Sequence, residues 1–219
     1  MSITNTINVL DIIKQFPEFG KINGYKPITD GHINDTYVVE YLLADGKTEK
    51  YLLKRINTNV FKMPVELMEN VMGVTAHLKN KIIAAGGDPM RETLTVYPAK
   101  DGKNYVMSDD GGCWRLYNFV DDTYSINELT NPDDFRNAAL TFGNFQKLLA
   151  DYPIDTLHET IKNFHYTPAR YENFLRAVEA DIKGRKAVCE DEIQFVIDRK
   201  ADTHKLTDLI TEGVLPLRV

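Results

Sequence analysis

The sequence predicts an α+β fold with two lobes, in which a lobe built on an antiparallel sheet precedes a helical lobe. Before about residue 130, short strand-like runs alternate with turns rich in glycine and aspartate, and one long helical pattern interrupts them. After that point nearly every segment carries its apolar residues at helical spacing. We place the sheet lobe at residues 1–120 and the helical lobe at residues 121–219, and we expect a ligand cleft between them because ligands favour inter-domain clefts.

The first part of the sheet lobe is expected to contain a short amphipathic helix and a hairpin. The helix covers residues 5–16, and three strands follow at 25–29, 36–43 and 47–56. Because the tight turn Ala44-Asp45-Gly46 separates the last two strands, they should pair as an antiparallel hairpin.

The second part of the sheet lobe is expected to hold one long helix and a meander. Pro64 opens the helix, which runs to about Ala84 and ends at Gly86 and Gly87. The three strand-like runs that follow, at 93–98, 104–107 and 114–120, predict a meander.

The helical lobe has clear helix starts. Asn131-Pro132 supplies an N-cap and a proline in the first turn, followed by two aspartates at the positive end of the helix dipole. Thr167-Pro168 starts a second helix, which Gly184 stops and whose inward face carries Tyr171, Phe174, Val178 and Ile182. Shorter helices are expected at about 189–199 and 203–212, and residues 214–219 have the pattern of the start of a strand.

Composition and charge favour a soluble globular protein without a nucleic-acid partner. The chain of 219 residues is 43% hydrophobic and 26% charged, with a formal net charge of −6, whereas nucleic-acid binders usually carry a basic face. Cys113 and Cys189 show neither a disulfide nor a zinc pattern, as is typical of a reducing compartment. With no signal-peptide pattern and no apolar run long enough for a bilayer, we expect a cytoplasmic protein without a membrane partner.

The loop around Gly31 is the first candidate for anion binding. It reads Asp30-Gly31-His32-Ile33-Asn34-Asp35-Thr36 and joins the first two strands. A glycine there lets backbone N–H groups approach a phosphate. An ordinary hairpin turn has a similar composition, so both interpretations stay open.

Charges within the predicted strand and helix are the second candidates. Lys54 and Arg55 are neighbours in an otherwise apolar strand, where a cation is costly unless it is paired or binds an anion. Since neighbouring strand residues face opposite sides, one of them can face the cleft while the other can face solvent. Glu69 on the long helix could pair with the strand cation, Glu66 is the alternative, and either can be a solvated helix charge.

Residues 117–120, which include Tyr117 and Phe119, could connect the lobes at a ligand or form a core strand.

Several blocks of sequence, in order along nearly the whole chain, resemble the aminoglycoside phosphotransferase and choline kinase family, and most closely the bacterial N-acetylhexosamine 1-kinases. The blocks are Gly31-His32-Ile33-Asn34-Asp35-Thr36-Tyr37, Arg55-Ile56-Asn57, Leu67-Met68-Glu69-Asn70, Gly86-Gly87-Asp88-Pro89, Leu157-His158-Glu159-Thr160 and Leu215-Pro216-Leu217-Arg218-Val219. The resemblance implies a protein-kinase-like two-lobed fold, ATP and Mg²⁺ as cofactors, and phosphorylation of N-acetylglucosamine or N-acetylgalactosamine at the anomeric hydroxyl.

The resemblance also implies roles for the candidate residues. The loop residues Gly31, His32, Asn34 and Thr36 would cover the phosphates, and His32 could reach the sugar or the transferred phosphate. Lys54 lies at the position of the family's phosphate-binding strand residue, with Arg55 beside it and Glu69 as its expected partner on the helix. Residues 117–120, with Tyr117 and Phe119, would form the hinge to adenine.

This sequence departs from the family pattern at its end. In the family, the strand matched by residues 215–219 continues into a catalytic His-x-Asp loop, a downstream asparagine and a later magnesium-binding aspartate, and none of these follows here. We therefore expect the N-terminal portion of such a kinase, inactive by itself, with its metal ligands elsewhere and an exposed apolar surface that could mediate self-association. The alternatives are a non-catalytic binding module of the same fold and a kinase for another small alcohol, such as choline, homoserine or an aminoglycoside.

Overall fold

The computed structural model describes residues 8–29, 31, 33–126, 128 and 131–218. Within these residues the chain divides into two compact units, the first ending at Thr160 and the second comprising Ile161–Arg218. The predicted lobe boundary at residue 120 is a different division of the chain, and it stays a prediction.

The first unit is built on an antiparallel sheet, which confirms the predicted α+β class. The strands of the described part are β1 (Lys21–Ile28), β2 (Asp35–Leu42), β3 (Thr48–Ile56), β4 (Val96–Tyr97), β5 (Val106–Met107) and β6 (Cys113–Asn118). Their order is β1-β2-β3-β6-β4, and β5 also pairs with β6. β2 and β3 form the predicted hairpin, and Gly46 in its turn has a φ of 83°, a conformation that favours glycine.

The predicted meander of the last three strands is wrong, because β6 lies between β3 and the other two. β4 pairs with Leu116 and Tyr117, whereas β5 pairs with Cys113 and Trp114. β4 and β5 therefore form one interrupted edge, and residues 98–105 leave the sheet opposite Arg115. The physical reason is burial: β6 carries apolar residues on both faces and so takes an interior position in the sheet.

Two apolar clusters cover the two faces of the sheet. Helix α1 (Val9–Ile13) lies over one face, where Ile12 and Ile13 join Tyr51 and Leu53 of β3 in a buried cluster. Helix α2 (Pro64–Ala84) lies over the other face, which we call the α2 face. Because strand residues alternate in direction, even-numbered residues of β3 lie on the α2 face and odd-numbered residues lie on the α1 face.

Helix α2 and the helix start at Asn131 match the sequence prediction, whereas within the described residues α1 covers only Val9–Ile13 of the predicted 5–16. Helix α2 has the predicted bounds, and Gly86 beyond its end has a φ of 78°. A short helix α3 (Pro89–Glu92) follows, and α4 (Pro132–Leu148) starts at Asn131, whose side chain accepts a hydrogen bond of 3.0 Å from the N–H of Asp133. Along α4, Phe135 and Phe142 are 65% and 72% exposed. Self-association through such a surface stays a prediction.

The second unit is helical in its described residues. It contains α5 (Thr167–Ala180), α6 (Glu190–Ile197) and α7 (Lys205–Thr211), joined by short 3-10 turns. Ile182 was expected on the inward face of α5 but is 86% exposed, because the helix ends at Ala180 and Asp181 turns the chain with a φ of 36°. The predicted strand start at 214–219 is also wrong for residues 214–218, since the described residues place no partner strand beside them. None of the described helices is both long and apolar enough to span a membrane.

Candidate functional site

Thr36, Lys54 and Arg115 form a row across three adjacent strands. Thr36 of β2 pairs with Lys54 of β3, and Lys54 pairs in turn with Arg115 of β6. Residues paired directly across antiparallel strands point to the same face, with Cβ atoms about 4.5–5.5 Å apart. The row lies on the α2 face, because Leu52 and Ile56, on either side of Lys54, belong to the cluster that contains Met68 of α2.

Lys54 is partly buried beside a second cation. Within the described residues, its ammonium group makes no ion pair or hydrogen bond. Burial is the larger cause that lowers the pKa of Lys54, and the positive charge of Arg115 lowers it further. Both effects disfavour the charged form, whereas a bound anion would favour it.

The side chain of Arg115 is oriented by contacts that do not neutralise its positive charge. Its Nη1 lies 3.6 Å from the sulfur of Met68, and its guanidinium carbon lies 5.0 Å from the ring centroid of Tyr117. Its Nε is buried and has no hydrogen-bond partner among the described residues. Two adjacent cations that lack an acidic partner in the described structure are suited to an anion.

Arg55 lies on the opposite face of the sheet and has acidic partners. Its guanidinium pairs with Asp110, lies 3.7 Å from a carboxylate oxygen of Asp35, and sits 5.8 Å from the ring of Trp114. A hydrogen bond from Ser108 is the main cause that lowers the pKa of Asp110, with a smaller contribution from Arg55. Of the two candidate cations in β3, Lys54 is therefore the one on the α2 face, and Arg55 ties β3 to the β5–β6 turn.

The described part of the Gly31 loop is anchored at its end. Asn34 accepts a hydrogen bond of 2.9 Å from the N–H of Asn57, which connects the loop to the residue that follows β3. A Cβ atom at Gly31 would meet nothing within 4 Å, so packing does not require glycine there. His32 lies outside the described residues. The roles of Gly31, His32 and Asn34 at a phosphate stay predictions.

Glu69 is engaged by His158 in this structure and not by Lys54. A carboxylate oxygen of Glu69 lies 2.6 Å from Nε2 of His158. The next residue, Asn70, accepts from the N–H of His158 at 2.9 Å and donates to its carbonyl oxygen at 2.8 Å. The two α2 residues thus fasten the segment around His158 to the helix, and a cofactor-binding role for Glu69 stays a prediction.

The segment predicted as a hinge begins in the core. The side chain of Tyr117 is 3% exposed within the α2-face cluster, and burial raises its pKa to about 12. Asn118 is also buried, accepts from the N–H of Thr95 at 2.8 Å and donates to the carbonyl of Met90 at 2.7 Å. Phe119 is half-buried, with the ammonium of Lys50 5.3 Å from its ring centroid. Contact of Tyr117 or Phe119 with adenine stays a prediction.

A mostly apolar cavity of about 510 Å³ lies away from the row of Thr36, Lys54 and Arg115. It is lined by α2, residues 91–94, Val120 and Phe145, and neither Lys54 nor Arg115 contributes to it. The described residues also contain no group of three or more histidine, cysteine or acidic side chains that could hold a metal ion.

Arg115 is the residue that the sequence analysis missed. The signal that could have found it is the same one that identified Lys54, a cation inside an otherwise apolar strand. What the sequence could not supply is the pairing of β6 with β3, which places the two cations side by side.

Comparison with solved structures finds proteins to which this chain is similar. No family model matches the sequence. The chain is similar to the crystal structure of a spectinomycin phosphotransferase, APH(9)-Ia, in complex with ADP and spectinomycin, with 12% identical residues and a TM-score of 0.48. The match covers 97% of this chain and 60% of that one, so this chain spans about three-fifths of that protein's length.

Proposed function

We propose that this chain binds ATP on the α2 face of its sheet, as the nucleotide-binding part of a cytoplasmic small-molecule kinase whose acceptor is the anomeric hydroxyl of an N-acetylhexosamine. The observation that carries the nucleotide proposal is the pair Lys54 and Arg115, two cations without an acidic partner among the described residues. The sequence resemblance supports the kinase class and the sugar acceptor.

In this proposal the chain's own residues hold and orient the phosphates. The ammonium of Lys54 binds phosphate oxygens as a point charge, and the hydroxyl of Thr36, one strand away, can donate to the same group. Transfer breaks the bond between the β,γ-bridging oxygen and the γ-phosphorus and the O–H bond of the sugar hydroxyl. It forms a bond from the sugar oxygen to that phosphorus and releases ADP and a proton, which leaves to solvent. Mg²⁺ neutralises phosphate charge in such reactions, but no step is assigned to it here because the described residues lack a ligand set.

Calorimetric titration of the chain with ATP and with ADP tests nucleotide binding. A hydrogen bond to a charged group contributes about 1.5–3 kcal/mol, so Lys54→Met should weaken binding about 10- to 100-fold. Lys47→Met removes the same charge from an exposed turn residue that pairs with Asp45 at 3.3 Å, and its affinity should match wild type. If wild type binds neither nucleotide at millimolar concentration, the proposal is wrong.

The acceptor is tested separately, with the longest product that the gene encodes. Phosphorus NMR would follow ATP in the presence of N-acetylglucosamine, N-acetylgalactosamine, choline, homoserine and spectinomycin. We expect a sugar 1-phosphate signal with one of the two sugars. Phosphorylation of another alcohol in their place would reject the sugar assignment and leave the kinase class standing.

A further inference from the structure

We propose that Arg115 is a second phosphate ligand, and that together with Lys54 it forms a two-cation site for the diphosphate moiety of a nucleotide. The inference rests on the proposed function in taking the anion to be a phosphate chain. Lys54 corresponds to a residue with an expected role, whereas no motif or resemblance assigns one to Arg115.

The register of the sheet brings the two charges together. Arg115 lies directly opposite Lys54, and neighbouring strands are about 4.8 Å apart. Cross-strand pairs of like charge are destabilising, so this arrangement is unfavourable for the sheet by itself. An anion that contacts both head groups removes the repulsion, and a chain of two phosphates can span one strand spacing.

The contacts of Arg115 leave its hydrogen-bonding capacity largely unused. A guanidinium carries five N–H donors. In the described structure, one nitrogen faces the sulfur of Met68, a weak acceptor, while Nε is buried without a partner. The ring of Tyr117 and the Met68 side chain fix the orientation of the guanidinium without supplying negative charge.

The acidic residues near α2 do not neutralise the pair in this structure. Glu69, the expected partner of the strand cation, lies 2.6 Å from His158. Glu66 in the first turn of α2 forms no ion pair with either cation among the described residues. The site thus has two cationic donors, one neighbouring hydroxyl at Thr36, and no competing carboxylate within ion-pair distance in the described part of the chain.

Titration with inorganic pyrophosphate tests this site without requiring a nucleotide. We expect Arg115→Met and Lys54→Met each to weaken pyrophosphate binding at least tenfold. Arg115→Lys, which keeps the charge and loses the fork of donors, should bind pyrophosphate more weakly than wild type and more tightly than Arg115→Met. The control Lys47→Met should bind like wild type. Binding of pyrophosphate by Arg115→Met at wild-type affinity would overturn the inference.

A second measurement uses the wild-type protein, in case Arg115→Met does not fold. Phenylglyoxal modifies accessible arginines, and mass spectrometry reports the extent at each site. Pyrophosphate should slow modification of Arg115 at least several-fold and leave that of Arg136, an exposed residue of α4, unchanged. Equal modification of Arg115 with and without pyrophosphate would contradict the proposal.

The two proposals can fail independently. If ATP binds with a dependence on Lys54 but Arg115→Met has no effect on ATP or pyrophosphate, the second ligand is rejected and the nucleotide site stands. If pyrophosphate binds with a dependence on Arg115 while ATP and ADP do not bind, the nucleotide proposal is rejected and the two-cation site stands.

Discussion

Replacing Lys54 by methionine should stabilise the unliganded protein, although it weakens anion binding. Lys54 faces Arg115 across the β3–β6 pair, and its ammonium has no acidic partner among the described residues. Two unit charges about 5 Å apart repel by roughly 0.8 kcal/mol in bulk water and roughly 3 kcal/mol at the effective dielectric near a protein surface. Because both head groups keep some solvent contact, we take the lower part of this range, about 1 kcal/mol. Methionine keeps the length of the side chain and removes the charge.

Thermal unfolding in a buffer free of phosphate and sulfate measures this effect. For a chain of this size about 1 kcal/mol corresponds to a rise of roughly 2–4 °C in Tm. Lys50→Met is the matched control, since Lys50 lies on the same face of the same strand but pairs with Asp121 at 3.5 Å; its Tm should not rise. Lys54→Arg keeps the charge and should also give no gain.

The pH dependence of the stability difference between Lys54→Met and wild type gives a second check. The folded-state pKa of Lys54 is lowered below its ordinary value of 10.5, so the unfolded chain binds more protons between the two pKa values. The unfavourable contribution is therefore complete below the folded-state pKa and fades as the pH rises through that window. The stability difference between Lys54→Met and wild type should shrink accordingly. A lower Tm for Lys54→Met at neutral pH, or an equal rise for Lys50→Met, would refute the reasoning.

Two further predictions concern packing in the first unit and the reactivity of the two thiols. Gly73→Ala should fail to stabilise α2, because its Cβ would overlap the hydroxyl of Tyr152. In α4, the Cβ of Gly143→Ala would meet nothing within 4 Å. This second variant should raise the free energy of unfolding, measured by chemical denaturation, by about 0.5–1 kcal/mol. An equal gain at both positions would contradict the packing of Tyr152 against α2. Cys113 is 0% exposed, and burial raises its pKa to about 11. A thiol reagent at neutral pH should therefore label Cys189 first and Cys113 only on the timescale of unfolding, as measured by peptide mass spectrometry. Fast labelling of Cys113 in the native protein would contradict its place in the core.

Local signals in the sequence determined several element bounds of the first unit. Pro64 and Gly86 delimit α2, Asn131-Pro132 starts α4, and the Ala44-Asp45-Gly46 turn joins β2 to β3, because caps, prolines and turn glycines act within a few residues of chain. The same locality explains one error. Ile182 continues the apolar spacing of α5, but Asp181 adopts the left-handed conformation and ends the helix before it. Aspartate predicts that conformation less reliably than glycine does.

The tertiary structure decided which strands are neighbours, and through this it decided the candidate site. Pairing between distant segments depends on which strand buries both of its faces. Because β6 does so, it lies in the interior of the sheet beside β3, and the expected meander order does not form. That choice placed Arg115 beside Lys54 and put Arg55 on the other face with Asp110. The sequence by itself determined that Lys54 and Arg55 point in opposite directions. It could not determine which face α2 would cover, because that depends on the complementary apolar surfaces of segments far apart in the chain.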